Sequence, residues 1–317
     1  MPMRTTLKAV ISLSLVAMAL YMLDLSLLGD TVKQGDLLQF LFAMAVILVM
    51  YLFLAVRWQL MAAPILKQSF LASAAIYFKA TFLNTFTPAN LGGDAYRLMV
   101  LKGGPAPTGE LIKLLLRERI LGLYGYMIVF VIAYALIVIL QDGGAAAADN
   151  PYLYGLAVAA AVFALPFLDP LGGRMTMAVR AMVGNEHLPG LEGWVDTLAG
   201  LLLPRGTLWL MSLTFIGILL WVLSIQVVAA GFGLVVPALH LAVVATLVEF
   251  IRLVPVTVQG IGLREGAFSY LLSFFGHNPE QCYVVGLVVY LALSVSIVLC
   301  GPIGQVLMWR DEKKDQA

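Results

Sequence analysis

The feature that most constrains this chain is a set of long runs with no Asp, Glu, Lys or Arg. They cover residues 37–56, 120–141, 150–168, 206–248 and 281–309, and a shorter one covers 9–23. About 20 apolar residues are needed to cross a bilayer as a helix. The segment 206–248 is long enough for two passes, with a break at Gly231, Gly233 and Pro237. Of the 317 residues, 62% are hydrophobic and 12% are charged, against about 25% charged in soluble domains. The fold class is therefore an all-α polytopic membrane protein.

Two regions break the pattern. Residues 68–78 are apolar but short, and Lys79, a second short run, Asp94 and Arg97 follow. In the second region, Glu249 and Arg252 precede residues 253–263, then Arg264 and Glu265 precede 266–279. Apolar runs this short read as re-entrant or buried segments rather than spans.

Lys and Arg placement sets the topology, because these residues collect on the cytoplasmic side. With Arg4 and Lys8 inside, the spans place Arg57, Lys67, Arg97, Lys102, Lys113, Arg117, Arg119, Arg174, Arg180, Arg205, Arg310, Lys313 and Lys314 inside. Only Lys33 falls outside. The region around 68–96 must then enter and leave from the inside, and 236–275 from the outside. Each half reads span, span, hairpin, span, giving about six spans and two re-entrant hairpins in an inverted-topology repeat, the design of many secondary transporters. The halves are residues 1–145 and 146–317, with both termini cytoplasmic. Residues 4–19 mimic a signal peptide, but the apolar run continues to Leu28 and reads as an uncleaved first helix.

The hairpins resemble each other. One carries Pro88, Gly92, Gly93, Asp94 and Arg97; the other carries Pro255, Gly260, Gly262, Arg264 and Glu265. Upstream, Lys79 and Asn84 find a loose counterpart in Glu249 and Arg252. Proline and glycine act here as hinges or turns, and broken backbone at membrane depth is tolerated only in protein or around a cavity. Charges facing lipid cost about 2.5–3.5 kcal/mol each, so these charges face each other or a wet cavity. Arg presents a fork that matches phosphate or carboxylate. The substrate-binding candidates are thus Lys79, Asn84, Asp94, Arg97, Arg117, Glu118, Arg119, Glu249, Arg252, Arg264 and Glu265. Asp94, Glu249 and Glu265 are also candidate proton carriers. The bland alternative makes Asp94/Arg97, Glu249/Arg252 and Arg264/Glu265 salt bridges that only pin the hairpins. Arg117-Glu118-Arg119 equally reads as an anchor at the membrane surface.

Other chemistry is not indicated. Gly260-Ile261-Gly262 lacks the full dinucleotide fingerprint and its strand context. No nucleophile–base pair or metal-ligand spacing occurs, so no cofactor is expected. The net charge of +1 gives no field for nucleic acid. Cys282 and Cys300, 18 residues apart in one apolar run, would lie about 27 Å apart on a helix, too far to bridge. The pattern sets no oligomeric state.

The stretches FLNTFTPANLGGDAYR (82–97), RER (117–119) and GIGLREG (260–266) resemble the membrane domain of bacterial lysylphosphatidylglycerol synthases, also called the flippase-like family. The resemblance covers most of the chain. It implies a bacterial inner-membrane protein that moves an anionic, polyprenyl-linked or hopanoid-type lipid between leaflets, with Arg97 and Arg264 on the headgroup. Lipid-biosynthesis enzymes are the implied partners. The bifunctional synthases carry a further membrane region and a cytosolic transferase domain; these 317 residues carry neither, so aminoacyl transfer is not expected. Two other readings stand beside the transporter: an enzyme or accessory subunit acting on a lipid-linked substrate, and a membrane scaffold with structural hairpins.

Overall fold

A computed structural model describes residues 36–84, 91–140, 155, 205–252, 260 and 262–315. The expected span at 9–23, all of that at 150–168 but residue 155, and the prolines Pro88 and Pro255 lie outside the described residues. Within them the chain forms eight helices: α1 (Leu37–Leu66), α2 (Phe70–Asn84), α3 (Leu91–Leu101), α4 (Thr108–Leu140), α5 (Arg205–Gly231), α6 (Ala238–Arg252), α7 (Leu263–Ser273) and α8 (Pro279–Asp315). Four of them, α1, α4, α5 and α8, are long and apolar enough to cross a membrane. The chain is an all-α, multi-pass membrane protein.

Length separates two kinds of helix. At 30 residues, α1 spans about 45 Å, more than the roughly 30 Å hydrocarbon core. By contrast α2 and α6 have 15 residues each, about 22 Å, and α3 and α7 have 11 each, about 17 Å. The order long, short, short, long thus occurs twice with the same short-helix lengths.

Local chemistry explains the boundaries. The Asp36 side chain accepts from Leu38 N at 2.8 Å and starts α1. That helix ends at Lys67, in the left-handed region at φ 51°. Ser69 Oγ accepts from Ala72 N at 3.0 Å at the head of α2. The turn into α7 needs glycine: Gly260 and Gly262 have φ of 76° and 81°, where a Cβ is strained. Gly262 N then donates to Glu265 Oε2 at 2.7 Å, half of a capping box. Gly92 and Gly93 differ from expectation: they lie in the first turn of α3, not in a break. Gly93 serves close approach instead, since a Cβ there would fall on the Ala80 carbonyl oxygen.

Packing crosses between the halves. Long α1 lies along α5, α2 lies along α8, and α6 lies along α4. Thus the first short helix of each long–short–short–long set packs on the last long helix of the other set. Small residues allow the contact, as is common where lipid offers no hydrophobic drive between helices. Gly301 and Gly304 of α8 face Phe82 and Lys79 of α2. Likewise Gly125 of α4 faces Thr214 of α5, and Gly217 of α5 faces Leu54 of α1.

Candidate functional site

Where α1, α2, α3, α4 and α6 meet, they enclose a cavity of about 300 Å³. Its charged lining is Arg57, Arg97, Arg119 and Arg252 against Asp94, Glu118 and Glu249. Tyr51, Tyr77, Tyr126, Thr81 and Asn84 complete the polar wall.

The charges come from four helices, α1, α3, α4 and α6. Arg97 on α3 is 4% exposed and donates through Nη1 to Glu118 Oε2 on α4. Its guanidinium lies 4.4 Å from the Trp58 ring centroid and 5.1 Å from that of Tyr77, a cation–π sandwich that fixes the fork. Arg57 on α1 reaches the other Glu118 oxygen at 3.7 Å and donates to Thr214 Oγ1 on α5 at 2.8 Å. One buried carboxylate therefore serves two guanidiniums. Asp94 pairs with Arg119 at 2.6 Å, and Glu249 with Arg252 at 2.6 Å. Among the described residues four cations and three anions line the cavity, an excess of one formal positive charge.

The structure brings together Asn84, Asp94, Arg97, Glu118, Arg119, Glu249 and Arg252 of the expected residues. Asn84 also has a structural duty: its Oδ1 accepts from Gly93 N at 2.7 Å and ties α2 to α3. The expected Asp94/Arg97 pair within α3 does not form, because both side chains reach α4 instead. The Glu249/Arg252 pair within α6 does form.

Four expected residues do not line the cavity. Lys79 runs along Gly304 of α8 and points its Nζ at Met308 Sδ, 3.2 Å away. Arg117 is half-buried on another face of α4. Arg264 is 3% exposed, stacked 4.4 Å from the Tyr290 ring and 3.7 Å from Glu265. Glu265 caps its own helix. This second cluster lies behind the cavity, joined to it at Gly260, whose Cβ position is 2.8 Å from Arg264 Cγ and 3.2 Å from Arg252 Cγ.

Sequence reasoning missed Arg57 and the three tyrosines as site residues. A signal for Arg57 existed: an Arg directly after a 20-residue apolar run with no helix breaker beside it continues the helix. Among the described residues no group of His, Cys, Asp and Glu could hold a metal ion.

No curated protein and no solved structure matches the chain. The family described as the lysylphosphatidylglycerol synthase TM region matches residues 6–301, which takes in every helix of the cavity and ties it to membrane-lipid biology. By that match over nearly its whole length, the chain belongs to the lysylphosphatidylglycerol synthase transmembrane-region family.

Proposed function

We propose that this protein is a flippase-like lipid transporter of the bacterial inner membrane, and that the cavity between α1, α2, α3, α4 and α6 holds an anionic lipid headgroup. The observation that carries the reading is the sharing of Glu118 by Arg57 and Arg97. A buried cation in excess of its carboxylates is costly unless an anion completes it. Guanidinium forks suit a phosphate, and the tyrosines around them add hydrogen-bonding groups. An anionic glycerolipid and a polyprenyl or hopanoid lipid with an anionic headgroup both fit this chemistry.

The transporter reading includes an inverted repeat of residues 1–145 and 146–317 with both termini cytoplasmic. The doubled long, short, short, long order and the crosswise packing of α2 on α8 and α6 on α4 support it. Short paired helices that stop at membrane depth are how such repeats build a midplane site.

One observation favours the scaffold reading: each cavity carboxylate already sits in an ion pair. A leaflet-translocation assay in proteoliposomes separates the two. Arg97→Ala and Arg252→Ala should abolish flipping of an anionic lipid. The paired variant Arg252→Met/Glu249→Gln removes both charges of one ion pair together and distinguishes loss of the site from loss of the fold. Wild-type flipping by all three would leave the ion pairs as scaffold only.

A further inference from the structure

Beyond the charged cavity lies a second compartment, of about 190 Å³, between α1, α4, α5, α6 and α8. The two share Tyr51, Arg57, Gly122, Tyr126, Glu249 and Arg252 as a common wall. On its far side the inner compartment is apolar, with Met50, Leu54, Ile218 and Leu293.

Its polar lining is lopsided. Arg57 spends Nη1 on Thr214 and Nη2 on Glu118, but its Nε–H has no acceptor among the described residues. Arg252 spends Nη2 on Glu249, and its Nε–H likewise has none. Trp221 is 2% exposed, and its Nε1–H has none either. The indole is set in place against Tyr290, with ring centroids 5.8 Å apart. Thr214 Oγ1 accepts from Arg57 Nη1 at 2.8 Å and donates to Leu210 O at 3.0 Å, and it bonds none of these three N–H groups.

Arg and Trp side chains only donate, so the three cannot satisfy one another. Glu249 is the single carboxylate in this lining, against two guanidiniums. Buried donors without acceptors are costly, and more so beside apolar walls. The space is many times what a single water needs.

We propose that the inner compartment is an anion subsite in which Arg57, Arg252 and Trp221 take the oxygens of a phosphate group. It rests on the headgroup reading above and deepens it. The phosphate then sits on the inner side of the shared wall, and the outer cavity holds whatever the phosphate carries. The same chemistry would serve a lipid phosphodiester or free inorganic phosphate.

The test is binding to the full chain in detergent, read by native mass spectrometry. The probes are inorganic phosphate, a short-chain phosphatidylglycerol, and a diacylglycerol of the same chains as the phosphate-free control. Trp221→Phe deletes one donor and keeps the ring. It should weaken the phosphate-bearing probes roughly tenfold, the scale of one hydrogen bond to a charged group, and leave diacylglycerol unchanged. Arg252→Lys keeps the charge, removes the Nε–H, and should act in the same direction if Trp221→Phe folds poorly. Weakening of both phosphate probes assigns the subsite to either source; weakening of the lipid alone assigns it to the lipid phosphodiester. Unchanged binding of both probes in both variants means that water satisfies these donors, and overturns the subsite while leaving the headgroup reading intact. If the wild type takes up neither phosphate probe above the diacylglycerol control, subsite and headgroup reading fall together.

Discussion

Asp94 on α3 and Arg119 on α4 meet through a single carboxylate oxygen: Oδ2 lies 2.6 Å from Nη2 and 2.8 Å from Nε. The bond fastens the second arm of the first hairpin to the following long helix at the mouth of the cavity. Both side chains keep contact with solvent, at 20% and 38% exposure, so screening limits its strength. A double-mutant cycle with Asp94→Asn and Arg119→Gln, followed by thermal unfolding in detergent, should return a coupling of about 0.5–1 kcal/mol. Strictly additive single variants would mean that the contact holds nothing.

Glu118 should be the most sensitive charge in the site. Glu118→Gln leaves Arg57 and Arg97 buried with no carboxylate, and breaking such a pair costs about 3–5 kcal/mol. Arg57→Gln should cost clearly less, because Glu118 keeps its bond to Arg97 and Arg97 keeps its aromatic sandwich. Melting temperatures of the two variants give the order directly; the reverse order would place the energetic centre at Arg57.

Glycine substitutions should split by space. Gly93→Ala pushes a methyl onto the Ala80 carbonyl and to 2.7 Å from Asn84 Oδ1, so α2 and α3 must part, at a cost of about 1–3 kcal/mol. Gly266→Ala meets nothing within 4 Å and lies inside α7, where alanine is favoured by about 1 kcal/mol. Unfolding midpoints should therefore move in opposite directions. Equal shifts would mean that α2 and α3 are not in the close contact described.

Thiol chemistry gives a check independent of charge. Cys282 and Cys300 are free and fully buried in α8. A membrane-permeant maleimide should label neither in the folded protein and both after denaturation. Rapid labelling of Cys300 in the native state would show that α8 does not pack as described.

Run length made the short and the long helices readable, because it depends on a simple count along the chain. The finer site did not follow. Asp94 and Arg97 stand three apart and suggest an on-helix pair, but their partners Arg119 and Glu118 lie on another helix. Spacing along one helix cannot weigh a competitor brought in by tertiary packing. Arg57 was read as the inside end of a span, since the apolar run stops at 56. The helix continues to Leu66, because one buried Arg with a carboxylate partner does not break it. The sequence pattern puts Arg264 on the headgroup beside Arg97, with Glu265 as a binding or proton-carrying candidate. The positive-φ Gly260 and Gly262 stand beside them, and the start of α7 there consumes Glu265 as a cap.

The laying of α2 along α8 has a consequence for how the protein is made. The first hairpin leaves the ribosome with its principal neighbour still untranslated, and it must wait in the membrane until the second hairpin has also been inserted. During that interval Lys79 and Phe82 of α2 lack the α8 glycines that cover them, a state open to capture by insertion chaperones or by membrane proteases. Premature termination before Pro279 would thus strand the amino-terminal hairpin rather than merely shorten the carboxyl-terminal end.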